Sequence, residues 1–457
     1  MNPDSLRKER EAAMRRAVID WILDWDNINA AIKKVKENDG APGIDGMTVD
    51  ELDQYFLEHG DEIIKLIREG KYEASPIRRT YIPKRDGGQR PLGIATVVDR
   101  VIEQMAAQIL SKGYEQYFSE SSYGYRPNRG CHLAVASALN YLNDGYTWIV
   151  DLDISKFFDT VAHDKLISIL REKVNDKQTI QLVRSFLKAG VMEKGLVSPP
   201  DEFGVPQGGP VSPVLSNIYL DKLDKELENR GLRFCRYADD VVIFVKSEMA
   251  ANRVMVSITD WLERKLFLRV NATKTKVVRP NQAKFLGFTF WKNGNSWAAR
   301  PLPDRIKSLK KKIKDVSKRK HAYAKSIKEI FTKVNQTARG WINYYAHGFM
   351  KNHMKTVGMW LRHRMRMILL MQWKNPRTIY ENLKKIDRKS KTGFGHEDYY
   401  KVANSSRGPY AMANGDVVNF IISPKILETP NRKNKRPGLI NLLDYYTVRH
   451  NEFLGPT

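Results

Sequence analysis

Aspartates at the ends of apolar stretches are the residues of this sequence best suited to chemistry. Asp151 and Asp153 end the β-rich stretch 147–154, and Asp239 and Asp240 separate two further apolar stretches. Carboxylate oxygens are the ligands that Mg²⁺ prefers, and two such ions can activate an attacking hydroxyl and neutralise a leaving pyrophosphate. The pattern indicates a two-metal site for nucleotidyl transfer; a solvated turn is the simpler interpretation of Asp239 and Asp240.

Strands must hold these acids in place. Residues 232–236 and 241–245 predict a hairpin with the two acids at its tip, and alternation along 147–154 puts Asp151 and Asp153 on one face. The stretch 241–245 is so apolar that Asp239 should lie at the edge of a core. Negative charge is costly there unless a cation binds.

The rest of the chain predicts an α+β domain followed by helices. Residues 81–94 indicate two short strands around an Asp86-Gly87 turn, and 6–36, 49–68 and 97–110 have helical spacing. Up to about residue 290 the pattern predicts a sheet with helices on one face. After residue 300 the pattern becomes helical, and in 305–320 Lys and Arg fill the positions between apolar residues.

The positive charge is concentrated at one end of the sequence. The 457 residues carry a net charge of +25, and residues 301–457 hold 33 Lys+Arg against 11 Asp+Glu, a net of +22. Such segregation favours a nucleic-acid partner. No apolar run reaches the ~18 residues of a spanning helix, so no membrane role is expected. The sequence has only two cysteines, Cys131 and Cys235, too few for a disulfide framework or a zinc module of paired cysteines. We therefore expect the protein to work in a reducing cytosol.

Six sequence blocks in a fixed order resemble those of reverse transcriptases encoded by group II introns. The resemblance covers roughly residues 25–450, and 335–345 (NQTARGWINYY) is similar to the start of the maturase region of that family. The blocks are YIPK at 81–84 with RPLGI at 90–94, SYGYRP at 122–127, DLDISKFFD at 151–159, GVPQGGPVSP at 204–213, YADD at 237–240 and KFLGF at 284–288.

The resemblance implies a right-hand polymerase fold. It implies an N-terminal helical extension with the start of the fingers (1–75), fingers and palm (76–298), a basic all-α thumb and maturase region (299–375) and a small basic C-terminal region (376–457). Asp153, Asp239 and Asp240 are then catalytic. Asp153, Asp239 and the carbonyl of Ile154 hold two Mg²⁺ ions, for which Mn²⁺ can substitute. Asp151 is a weaker candidate because Asp153 stands five residues before Phe158.

The same resemblance implies a nucleotide pocket. Lys84 and Arg90 would hold the triphosphate of a dNTP, since three anionic groups need cations aimed at them, and Arg85 could replace Lys84. Phe158 would exclude a ribose 2′-hydroxyl, with a core position as the alternative. Gln207 would contact the nucleotide sugar, with an ordinary turn as the alternative.

Basic and aromatic residues suggest further contacts with nucleic acid. Arg126 and Arg129, beside Tyr123 and Tyr125, suit a single-stranded template, although a packed aromatic loop is nearly as good an interpretation. Lys274 and Lys276 would lie along the primer or template, although exposed lysines next to a strand are usually only solvated. Lys310 and Lys314 belong to the basic helix, whose outer face is an array of cations suited to phosphates. The loop 432–436 is a candidate for DNA contact, with a solvated loop as an equal interpretation.

The family resemblance implies an RNA-directed DNA polymerase that also assists intron splicing and mobility. Its partners would be group II intron RNA, an RNA template with a DNA primer, target DNA and dNTPs, in the bacterial cytosol or on the nucleoid. Residues 376–457 contain no cysteine and only two histidines, His396 and His450, so we expect no His-Asn-His endonuclease and a primer made elsewhere. Alternatives are a domesticated relative in defence or DNA repair and, disfavoured by the retained acids, a polymerase-dead maturase.

Overall fold

A computed structural model describes residues 18–83, 87–199, 201–433 and 435–454. The chain forms two compact units, Met1–Leu286 and Gly287–Thr457. In the described ranges, no helix is long and apolar enough to cross a membrane. The α+β fold class is confirmed, with sheets and helices in the first unit and mostly helices in the second. The four predicted domain ranges remain predictions.

The helices of the first unit largely follow the predicted spacing. Helical spacing over 6–36 suggested one helix, but the described part contains two. They separate because the Asp24 side chain accepts a hydrogen bond of 2.9 Å from the Asp26 amide and starts a new helix. The helices are α1 (Val18–Ile22), α2 (Trp25–Asn38), α3 (Leu52–Arg68), α4 (Val97–Tyr114), α5 (Cys131–Asn143), α6 (Phe157–Thr160), α7 (His163–Arg171), α8 (Lys177–Leu187), α9 (Ser212–Asn229) and α10 (Glu248–Lys265).

Two four-stranded sheets complete the first unit. One has the order β2-β1-β4-β5 and contains the predicted strand pair of 81–94. The other has the order β6-β7-β3-β8 and contains the predicted hairpin and the strand that ends at Asp153. The strands are β1 (Ile77–Pro83), β2 (Gln89–Ile94), β3 (Trp148–Asp153), β4 (Val191–Glu193), β5 (Leu196–Ser198), β6 (Arg233–Tyr237), β7 (Asp240–Val245) and β8 (Lys276–Val278).

Both faces of the β6-β7-β3-β8 sheet are covered, so the expectation of helices on one face was wrong. Val150 and Ile243 belong to the main core of the unit. On the opposite face Ile149 pairs with Phe244, whose ring lies 5.5 Å from that of Tyr141 in α5. Each residue from Val241 to Val245 is buried as a result. The two central strands that end at the acids are therefore buried on both faces.

The second unit is a hairpin followed by helices. Its strands are β9 (Phe288–Asn293) and β10 (Ser296–Pro301). Its helices are α11 (Pro303–Val316), α12 (Arg319–Ala324), α13 (Ile327–Tyr345), α14 (Lys351–Trp373), α15 (Pro376–Ser390), α16 (His396–Ala403), α17 (Pro409–Met412), α18 (Asp416–Ile421), α19 (Pro424–Glu428) and α20 (Leu442–Leu454).

Three buried arginines of this unit bind the carbonyl ends of helices. Arg364 donates to the Ser317 carbonyl oxygen just past α11 at 2.6 Å. Arg366 donates to the Ile422 carbonyl oxygen after α18 at 2.8 Å, and Arg436 donates to the Leu427 carbonyl oxygen of α19 at 2.9 Å. The last carbonyls of a helix lack intrahelical partners, and cations there also suit the helix dipole. Part of the positive charge is therefore structural, including Arg436 of the loop considered for DNA contact.

Candidate active site

Strand pairing brings the predicted acids together. Asp153, the last residue of β3, lies directly opposite Asp240, the first residue of β7. Tyr237 pairs with Asp240 across the hairpin, which leaves Ala238 and Asp239 as a two-residue turn, with Ala238 at φ 56°. Asp151 lies two residues before Asp153, on the same face of the strand. Four carboxylates therefore converge at one corner of the sheet.

The electrostatics of this corner disfavour four bare negative charges. Desolvation by the surrounding protein is the main cause that raises the pKa of Asp239. Desolvation also raises the pKa of Asp151 to about 6, with a smaller contribution from Asp153. Asp240 is exposed to solvent at its surface. Desolvation by the surrounding protein nevertheless raises its pKa to about 6, with smaller contributions from the negative charges of Asp239, Asp151 and Asp153. Added positive charge would relieve this repulsion.

Cationic side chains lie next to the acids. The Lys274 ammonium is 3.5 Å from the Asp153 carboxylate, and Lys276 pairs with Asp151 across β3 and β8. The loop that carries Lys274 is fixed to Asp153, because the Asn271 amide donates to the Asp153 carbonyl oxygen at 2.9 Å. Arg90 of β2 lies close enough to Asp239 to offset part of the rise in the pKa of that carboxyl group. Lys274, Lys276 and Arg90 therefore share the site with the predicted acids.

Arg236 connects the hairpin to the helix and loop that pack against it. Its guanidinium is fully buried and forms a fork with both Asp224 carboxylate oxygens of α9, at 2.7 and 2.5 Å. It also donates to the Ser122 hydroxyl at 2.8 Å and to the carbonyl oxygen of Ala238, in the acidic turn, at 3.2 Å. One side chain thus connects the acidic turn, α9 and the loop 122–127.

Gly124 lets that loop approach the acidic turn. A Cβ atom at Gly124 would lie 2.5 Å from the Ala238 backbone nitrogen, closer than real Cβ contacts. The Gly124 carbonyl oxygen in turn accepts a hydrogen bond of 2.8 Å from the Asn217 side chain. Backbone packing between the two segments therefore requires glycine at this position.

Phe158, Gln207 and the strand that carries Arg90, all predicted to bind the nucleotide, are linked by the turn 204–210. The Val205 amide donates to the Phe158 carbonyl oxygen at 2.7 Å, and the Gly93 amide of β2 donates to the Gln207 carbonyl oxygen at 2.7 Å. Phe158 is half-buried, with its ring 5.3 Å from that of Phe157. Phe158, Gln207 and the strand that carries Arg90 therefore belong to one connected group.

A buried glutamate supports the other end of this turn. Glu103 of α4 is 3 % exposed, and a Cβ atom at Gly209 would meet its carboxyl oxygen at 2.1 Å. The Val211 amide donates weakly to the same oxygen at 3.4 Å. Burial raises the pKa of Glu103 to about 8. The carboxyl group fills the space that glycine leaves open and meets an amide at the start of α9.

Several predicted residues lie elsewhere. The expected contact of Arg126 with nucleic acid is wrong, because its side chain is buried, pairs with Glu115 at 2.8 Å and donates to the Ser122 carbonyl oxygen. Arg129 remains partly exposed and pairs with Glu120. Lys84 and its alternative Arg85 lie outside the described residues. Lys310, half-buried, and Lys314, exposed, belong to α11 of the second unit.

The donor set at the acidic corner suits a hard cation. Asp153 and Asp239 offer only carboxylate oxygens, the ligands that Mg²⁺ prefers, and Ile154 follows Asp153 in an isolated bridge with Val270. Over the described ranges, no group of three His, Cys, Asp or Glu side chains is arranged to hold a metal ion by itself. A bound ion would therefore need main-chain, water or substrate oxygens as well, as is usual for Mg²⁺.

Sequence reasoning missed Arg236 and Glu103. Arg236 stands inside the apolar stretch before Tyr237, where a cation without a partner would be costly, and this position predicts a buried acidic partner. Glu103 offered a similar signal, because it lies on a helix among apolar residues. Neither signal identifies the partner, since Asp224 and Gly209 come close only through the fold.

Two known family models match the chain. Residues 82–290 match "Reverse transcriptase (RNA-dependent DNA polymerase)" and residues 306–387 match "Group II intron, maturase-specific domain". The first match contains all of the acids described above, and the second contains Lys310 and Lys314.

Three relatives illustrate the similarity. Protein YkfC of Escherichia coli is 32 % identical over 309 residues, which cover 59 % of this chain and 79 % of that protein. Group II intron-encoded protein LtrA of Lactococcus lactis is 29 % identical over 418 residues, covering 71 % and 69 %. An uncharacterized 91 kDa protein in a cob intron of Schizosaccharomyces pombe is 38 % identical over 215 residues, and the match covers 47 % of this chain but only 26 % of that relative.

Proposed function

The chain belongs to the group II intron-encoded reverse transcriptases and maturases, and we propose that it copies RNA into DNA at the acidic corner of its first unit. The convergence of Asp151, Asp153, Asp239 and Asp240 carries this proposal. A site that needs added positive charge and offers oxygen donors has the chemistry required for nucleotidyl transfer. The substrates would be dNTPs, with an RNA template and a DNA primer.

Each residue of the site has a proposed role. Asp153 and Asp239, with the Ile154 carbonyl, would hold two divalent cations, Mg²⁺ or its substitute Mn²⁺, and Asp240 would add negative charge beside them. When bound, these ions supply activation of the primer hydroxyl and neutralisation of pyrophosphate. Arg90 and Lys84 would hold the triphosphate. Gln207 and Phe158, linked through the turn 204–210, would hold and select the sugar.

Primer extension with and without metal tests this proposal. A DNA primer annealed to an RNA template should be extended with dNTPs and Mg²⁺, and EDTA should stop extension because the acids then lack their counter-ions. Restored Mg²⁺ should recover activity in the same sample. Extension that is unchanged in excess EDTA would contradict the proposed metal site.

We also propose that the second unit binds group II intron RNA and assists splicing and mobility in the bacterial cytosol, with target DNA as a further partner. The maturase-specific match over 306–387 and the positive charge of this region support this role. The test is the splicing rate of the intron RNA at low Mg²⁺, with and without the protein. Equal rates would contradict the splicing role while leaving the polymerase proposal intact.

A further inference from the structure

A basic cavity lies within the second unit. It has a volume of about 600 Å³ and is bordered by the last turns of α11, the start of α12, α14 and α17. Ligand pockets of small molecules typically measure about 300–1,000 Å³. The cavity is therefore large enough for a single nucleotide.

Cations that form no close ion pair in the described residues surround this cavity. Lys311, Lys314 and Arg319 line it, and none of the three forms an ion pair within the described ranges. Asp315, the one acid in the described part of the lining, is already paired with Lys318 at 2.9 Å. Three positive charges thus remain available for an anionic ligand.

The rest of the wall is apolar and aromatic. Met367 is 2 % exposed and therefore buried in the wall, whereas Tyr410 is 51 % exposed. The Tyr410 ring lies 4.4 Å from the His363 ring, and its carbonyl oxygen lies 2.9 Å from His363 Nε2. His363 therefore fixes the position of Tyr410, while about half of Tyr410 remains exposed to solvent. An aromatic face of this kind suits stacking with a nucleobase.

Arg364 supports the wall without being a free ligand. Its guanidinium donates to the Ser317 hydroxyl at 2.5 Å and to the Ser317 carbonyl oxygen at 2.6 Å. These bonds fix the end of α11, from which Lys314 projects, against α14. The three free cations and the aromatic wall therefore stand on connected elements.

We propose that this cavity binds one unpaired nucleotide of an RNA strand. The base would lie against the exposed Tyr410 ring, and the flanking phosphates would contact Lys311, Lys314 and Arg319. A free phosphate would leave the apolar wall unused, and a base inside a duplex has no open face to offer. This inference rests on the proposed RNA-binding role of the second unit and specifies the structural class of RNA that the unit recognises.

Binding of a bulged RNA to the full chain tests this inference. The probe is a hairpin RNA with one bulged 2-aminopurine, whose fluorescence falls on stacking, compared with the fully paired hairpin. Wild-type protein should quench the bulged base and should bind the bulged hairpin more tightly than the paired one. Tyr410→Ala should abolish quenching, whereas Tyr410→Phe should keep it because the ring remains.

Matched charge variants separate the cavity from general electrostatics. Combined Lys311→Ala, Lys314→Ala and Arg319→Ala should weaken binding of the bulged hairpin by roughly ten-fold more than combined Lys307→Ala, Lys312→Ala and Lys320→Ala, which remove exposed cations outside the cavity. Equal weakening by the two triple variants, or quenching that survives Tyr410→Ala, would overturn the inference. Because binding is measured without polymerisation, a wild-type protein that fails to extend primers would contradict the polymerase proposal separately.

Discussion

At the scale of single residues, Phe158 shows how a packing position and a functional position can coincide. Its backbone is tied to the turn that carries Gln207, and its ring rests on the buried Phe157 ring while remaining partly open. A ring supported from one side is held rigidly. Rigidity is what a steric barrier to a 2′-hydroxyl requires, so the core interpretation and the gate interpretation are compatible.

Phe158→Ala should therefore admit ribonucleotides. Removal of the ring opens space beside the sugar, so the ratio of kcat/KM for dNTP over NTP should fall by about ten-fold or more, since a good steric or packing contact is worth on the order of 1–3 kcal/mol. Primer extension with each nucleotide class measures this ratio. Phe186→Leu, a change in a buried ring of α8, is the control and should leave the ratio unaltered. An unchanged ratio in Phe158→Ala would leave Phe158 with a packing role only.

At the scale of elements, the hairpin that carries Asp239 depends on buried polar groups. Arg236→Met should strongly destabilise the protein, because Asp224 would be left charged and unpaired in the core. The free energy of unfolding should fall by about 3–5 kcal/mol. Arg233→Met on the exposed end of the same strand should change it by less than about 0.5 kcal/mol. Denaturant unfolding of both variants measures the difference, and similar small losses would contradict the role of the Arg236 network.

Glu103 predicts a pH dependence of stability. Its pKa is raised from 4.5 to about 8, so the folded state keeps the proton that the unfolded chain releases. Wild-type stability should therefore decline relative to Glu103→Gln as the pH rises from about 5 to 8, and the difference should be constant below and above that window. Urea unfolding at several pH values tests this, with exposed Glu263→Gln as control. A difference that does not change with pH would contradict a neutral Glu103.

The sequence predicted those elements whose local pattern agrees with their final environment. The strand ending at Asp153, the hairpin of Tyr237 and Asp240 and the pair β1-β2 were all expected from apolar alternation and turn residues. Charge alone could not reveal location: Arg126 and Arg436 were considered for nucleic acid but bind carbonyl oxygens inside the protein. Because a guanidinium suits carbonyl groups as well as phosphates, only the fold distinguishes the two uses.

At the scale of the whole molecule, charge is divided between the two units. Gly287–Thr457 holds 35 Lys+Arg against 11 Asp+Glu, a net of +24, which leaves +1 for Met1–Leu286. Even after the three buried arginines Arg364, Arg366 and Arg436 are set aside, the second unit keeps a net charge of +21 (24 − 3), so most of the net positive charge belongs to it. We infer that this unit supplies most of the electrostatic attraction to RNA.

Salt dependence tests that division. Combined Lys311→Ala, Lys314→Ala and Arg319→Ala should reduce the slope of log K against log salt for single-stranded RNA by about 2, since each lost phosphate contact contributes about 0.7. Combined Arg171→Ala, Lys177→Ala and Lys188→Ala removes three exposed cations of the first unit and should leave the slope unchanged. Equal changes in slope would contradict the assignment of RNA attraction to the second unit.

The proposal that the acidic corner performs nucleotidyl transfer is tested most directly by Asp239→Asn in primer extension on an RNA template. The substitution keeps the size of the side chain and removes the charge that would hold a divalent cation. Extension should fall to background while the unfolding transition stays within about 1 kcal/mol of wild type, and exposed Asp260→Asn should remain fully active. Wild-type extension by folded Asp239→Asn would contradict the proposed site.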